Sequence, residues 1–142
     1  MMPPLGPALL AATGYFLALF TLGFVLGTAR VLLIAPRIGA LAATLAEVPV
    51  MLAAAYYLWC AVLRRWHLST APAVRWTMAV WFLVLLAAFE TALGMLLFGR
   101  SPAAQWAGLA TPAGLLGLSA QLVAALFPVF LGAPRDPRGL PP

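Results

Sequence analysis

Residues 74–98 read VRWTMAVWFLVLLAAFETALGMLLF, and this stretch decides the fold. Arg75 and Trp76 stand at its start, Gly99 and Arg100 lie just beyond its end, and between them the only charged side chain is Glu90. A helix needs about 20 mostly apolar residues to cross the hydrocarbon core of a bilayer. This run is long enough and has both ends marked by interfacial residues.

Working outward, comparable runs are bounded by Pro, Gly or Arg. Upstream, the second runs from about 38 to 63 and stops at Arg64, Arg65 and Trp66. The first runs from about 7 to 35 and is expected to stop where Pro36, Arg37 and Gly39 break both hydrophobicity and helix. It has no basic n-region, and its apolar core exceeds the 7–15 residues of a signal peptide, so it reads as a retained helix. Downstream, Ser101-Pro102 and Thr111-Pro112 each place a capping hydroxyl before a proline at a first helical position. Two pieces are expected: a short interfacial helix over 101–110 anchored by Trp106, and a fourth span over 112–131. The tail, 132–142, is rich in Pro and Gly and is expected to be disordered.

The chain is 65% hydrophobic and 8% charged, against about 25% charged in soluble domains, which excludes a soluble fold. The expected architecture is all-α, a single four-transmembrane-helix bundle over residues 1–131. The net charge of +5 comes entirely from Arg, scattered along apolar segments. A nucleic-acid footprint needs a clustered basic face, so no nucleic-acid partner is expected. Cys60 is the lone cysteine and His67 the lone histidine, so neither an internal disulfide nor a multi-His site is available. No cofactor and no metal are expected.

With four spans the two termini and the second loop share one side. That side holds Arg64, Arg65, Arg75, Arg135 and Arg138, and the other holds Arg37 and Arg100. The positive-inside rule therefore predicts both termini in the cytoplasm. Arg64, Arg65 and Arg75 are expected to contact lipid headgroups. Abundant Ala and Arg with no Lys and no Asn suggest a GC-rich bacterial source, and hence a multi-pass protein of the inner membrane.

Each span carries one charged or amide side chain well inside its apolar run: Arg30, Glu47, Glu90 and Gln121. Alternating helix direction brings all four into the same half of the bilayer, at depths of about 9–15 Å. An Arg at a helix centre costs about 2.5–3.5 kcal/mol on insertion scales. Turning inward to pair is the least costly arrangement, and a single buried polar layer is expected. Small residues support this facing. Gly23, Gly27 and Arg30 share one face, as do Ala87, Glu90 and Gly94, then Thr44, Glu47, Met51 and Ala54, and finally Gly114, Gly117, Gln121 and Ala124. Gly23, Gly27, Gly94 and Gly117 are thus the expected helix-packing positions. Two carboxylates and one guanidinium leave a formal excess of one negative charge, so either one Glu is protonated or a cation or partner residue completes the balance. Pro49, two residues after Glu47, removes one backbone donor from the second helix.

The stretch Gly27-Thr28-Ala29-Arg30-Val31-Leu32, followed by Pro36, Gly39 and Ala46-Glu47-Val48-Pro49-Val50-Met51, resembles a group of uncharacterised small four-helix bacterial inner-membrane proteins. Glu90-Thr91-Ala92-Leu93-Gly94 with Phe98-Gly99-Arg100 is similar to that group too. The resemblance spans most of the chain and implies a fold alone. The second helix also resembles small glutathione-linked membrane enzymes that set Asn, Glu and Pro after an Arg. Here Thr44 stands at the Asn position, Pro49 is one residue too close to Glu47, and the basic loop is too short.

Three functions follow as expectations. An interaction or accessory subunit would use the small-residue faces to self-associate or to dock on a larger membrane complex. A transport or channel protein would use Glu47 and Glu90 as a proton or cation site. A small membrane enzyme would act on a lipophilic substrate, though the chain offers no triad, metal cluster or phosphate-binding loop.

Overall fold

The computed structural model describes residues 5–131. The tail over 132–142, with Arg135 and Arg138, lies outside the described residues. Within them every regular element is a helix, with no strand, and four helical stretches are long and apolar enough to cross a membrane: Leu5–Ile38, Ala40–Arg65, Pro72–Leu96 and Pro112–Phe130. The protein is a helical, multi-pass membrane protein.

The first stretch consists of α1 (Leu5–Ala29), a π turn (Arg30–Ile34) and α2 (Ala35–Ile38). The sequence predicts a break over Pro36, Arg37 and Gly39, yet the helix runs through the first two. Proline lacks an N–H, and its ring crowds the carbonyl four residues earlier. Widening the preceding turn relieves that conflict, and the Ala35 N–H accordingly donates to the Arg30 carbonyl, five residues back. The break falls instead at Gly39, whose φ of +85° few other residues tolerate. There the chain reverses into α3 (Ala40–Arg65), which holds Pro49.

A connection over 66–71 leads to α4 (Pro72–Leu96). Then come α5 (Pro102–Leu109) and α6 (Pro112–Phe130), which start on hydroxyl caps. Ser101 Oγ accepts from the Ala104 N–H at 3.2 Å, and Thr111 Oγ1 accepts from the Gly114 N–H at 3.1 Å.

Helix α1 packs on α3 and α4, and α6 packs on the same two, so the spans form a ring in the order α1, α3, α6, α4. One end of the ring carries residue 5, the 66–71 connection and residue 131; we call it the tail end. The opposite end carries Gly39, Gly99 and α5.

The core lies in the tail-end half. It comprises Ala8, Ala12, Tyr15 and Phe16 of α1, Trp59 of α3, Val74, Met78 and Phe82 of α4, and Ala124 and Ala125 of α6. Tyr15 meets Trp59 and Phe82 at ring-centroid distances of 5.7 and 5.3 Å, and Phe16 meets Phe82 edge-on at 5.6 Å. Such pairs each add about 0.5–1.5 kcal/mol beyond the area they bury.

Toward the Gly39 end, burial among the described residues falls to Ala43, Thr44 and Gly94. Helix α4 shows the change most clearly. Val74, Met78, Phe82 and Leu86 form a buried stripe at four-residue spacing, whereas residues 87–92 are exposed without interruption. Those residues cover more than a full turn, so no face of the helix is covered there as a core face would be. Phe89, with its ring 5.2 Å from Phe16 and 5.4 Å from Phe20, is the last link to α1.

Candidate functional site

Two groups of polar side chains organise the molecule, one at each end. At the tail end they converge on α6. Pro128 has no N–H to offer, so the Ala124 carbonyl, four residues earlier, lacks its helical donor. The buried hydroxyl of Tyr15 donates to it at 3.0 Å. The last turn of a helix leaves further carbonyls unpaired and carries partial negative charge. Arg75 Nη1 donates to the carbonyls of Pro128 at 3.0 Å and Leu131 at 3.2 Å, and Trp59 Nε1 donates to Leu131 at 3.0 Å. One side chain from each of the other three spans therefore holds the end of α6.

This placement corrects one expectation. Arg75 is not at the lipid headgroups. It is only 8% exposed, turned inward because its guanidinium finds acceptors there that hydrocarbon cannot supply. Arg64 and Arg65, by contrast, are exposed at the end of α3.

The second group comprises the four intramembrane polar residues. Counted along their helices from the Gly39 end, Arg30, Glu47, Glu90 and Gln121 lie at depths of about 9–14 Å. They share a level but do not form one layer. Arg30 Nε forms an ion pair with Glu47 Oε2 on the seam between α1 and α3. Its Nη1 donates to Thr44 Oγ1 at 3.2 Å, and that hydroxyl donates onward to the Ala40 carbonyl at 2.9 Å. On the separate seam between α4 and α6, the Gln121 side-chain amide donates to Glu90 Oε1. The expected single layer divides because a side chain aimed along one seam cannot reach the other, and Arg30 is already matched by Glu47. Nor is the second pair buried, since Glu90 is exposed on the bundle's surface.

The glycines differ in what they admit. A Cβ at Gly23 would stand 3.1 Å from Met51 Cε, and one at Gly27 would stand 3.8 Å from Glu47 Oε1, so both lie along the α1–α3 seam. At Gly94 a Cβ would meet the Gln105 side chain at 2.6 Å. Gln105 itself donates to the Thr91 carbonyl at 3.4 Å, tying α5 to α4. Gly117 has nothing within 4 Å of a Cβ position and so marks no close approach. The tightest crossing is at Gly114, where a Cβ would fall 2.2 Å from the Gly108 carbonyl oxygen. Only glycine lets α5 fold back onto α6 this closely.

Tyr15 and Gln105 are absent from the residues singled out by sequence. Pro128 was the available signal, because a proline inside an apolar helix announces an unpaired carbonyl four residues upstream. It does not say which span supplies the donor. Among the described residues, no three His, Cys, Asp or Glu side chains gather as metal ligands would. No family of known proteins matches the chain, and neither a curated protein nor a solved structure matches it.

Proposed function

We propose that the protein is an interaction or accessory subunit, self-associating or docking on a larger membrane complex. One observation carries this reading. Residues 87–92 of α4 are all exposed, and they include a carboxyl group at membrane depth. A polar group in hydrocarbon is costly unless it meets another protein surface or a wet cavity. A helix that its own bundle leaves uncovered is suited to such contact.

The setting we infer is a bacterial cytoplasmic membrane with both termini inside. With Arg75 turned to α6, the termini side still has Arg64, Arg65, Arg135 and Arg138 against Arg37 and Arg100.

Proton- or cation-coupled transport is the competing reading, and it needs two carboxylates on one route. Glu47 is instead matched by Arg30, and Glu90 is bonded on the other seam. Native mass determination in lipid nanodiscs, on protein extracted with its neighbours, tests the proposal. The expected result is an oligomer or a heteromeric complex. A bare monomer would contradict it, as would pH-driven flux in liposomes abolished by Glu47→Gln.

A further inference from the structure

We propose that the α4–α6 face around Glu90 docks a transmembrane helix of another protein, one that carries a Lys or Arg at matching depth. The inference rests on the accessory reading and names the partner's chemistry. Three observations on the same face support it.

The first is charge. Among the described residues the charged side chains at this depth near the Gly39 end are Arg30, Glu47 and Glu90; the single ion pair joins Arg30 to Glu47, and Arg75 is held by carbonyls at the tail end. Glu90 receives one donor, the neutral amide of Gln121, at Oε1. Glu90 is thus the intramembrane carboxyl group among the described residues with no cation beside it, and a basic side chain is its complement.

The second is depth. Glu90 lies six residues before Leu96, the last residue of α4, or about 9 Å below that end. Lipid headgroups and mobile cations are more stable at the interface. In hydrocarbon, a helix is the element that can deliver a charge with its own backbone satisfied.

The third is shape. Ala87, three residues before Glu90 and on its face of the helix, is small and exposed. Small side chains let a second helix approach closely enough for its polar group to reach across. A second copy of this chain fits less well, because a symmetric contact here would set Glu90 against Glu90.

The test uses the full chain in nanodiscs with a fluorescent transmembrane peptide of Leu and Ala carrying one Lys about 9 Å from the end of its apolar span. Energy transfer reads association. The Lys peptide is expected to bind about tenfold more tightly than the same peptide with Leu at that position, in line with ~1–2 kcal/mol for a polar contact between membrane helices. Glu90→Gln, which keeps a partner for Gln121 and hence the fold, removes that preference. Glu90→Lys transfers it to a Glu-bearing peptide. Equal binding of the Lys and Leu peptides, or a preference that survives Glu90→Gln, would overturn the proposal. If native masses still show a complex in that case, the accessory reading stands and only the docking face is lost. A bare monomer that nonetheless selects the Lys peptide would keep the docking face and remove the accessory reading.

Discussion

The tail-end half and the Gly39-end half are built from the same four helices and the same kinds of side chain, yet they satisfy their polar groups in different ways. At the tail end, Tyr15, Trp59 and Arg75 donate to backbone carbonyls of α6, and large aromatics fill the space between. At the Gly39 end, side chains pair with side chains, each pair ties only two spans, and residues 87–92 of α4 are left exposed. A carbonyl fixed on a helix cannot leave its place, so the first arrangement locks three helices onto a fourth. The second leaves two seams free to part.

Charge is the first way to break this contrast. Arg30→Leu strips Glu47 of its partner, and because the surroundings are hydrocarbon the loss is expected at about 3–5 kcal/mol. The double variant Arg30→Leu/Glu47→Leu should recover most of it. Unfolding by denaturing detergent reads both, and a double variant as unstable as the single one would sink the pairing. Next, Arg75→Leu leaves the Pro128 carbonyl without its side-chain donor while Leu131 keeps Trp59, at about 1–3 kcal/mol. Were Arg75 an interfacial anchor instead, the change would fall within about 0.5 kcal/mol.

A double-mutant cycle sharpens the tail-end account. Tyr15→Phe should cost about 1–2 kcal/mol. In a Pro128→Ala background it should cost clearly less, because residue 128 then supplies the N–H that the Ala124 carbonyl lacks. An equal cost in both backgrounds would mean that the hydroxyl serves another purpose. The smallest effect belongs to the open end. Glu90→Gln in the isolated chain should shift stability by no more than about 0.5 kcal/mol, since the amide still bonds Gln121.

How legible was this in the sequence? The four long apolar helices were, because twenty or so consecutive apolar residues have few other uses. The depth of Arg30, Glu47, Glu90 and Gln121 followed from counting along those helices. Their pairing did not, because it depends on which helices are neighbours and at what rotation, and composition is silent on both. Pro36 misled for a local reason: proline usually ends a helix, but a single widened turn at Arg30–Ile34 absorbs it. Arg75 misled for a tertiary one. An arginine near a helix start reads as interfacial until the carbonyls of a distant helix end are seen beside it.

A nitroxide scan of α4 in the purified chain, reconstituted in lipid and read by oxygen accessibility at each position from 74 to 92, tests the contrast most directly. The account predicts a period near 3.6 over 74–86 and, over 87–92, no position as inaccessible as 74, 78, 82 and 86. A 3.6-residue period continuing through position 92 would show that the bundle closes along its whole length, and would contradict it.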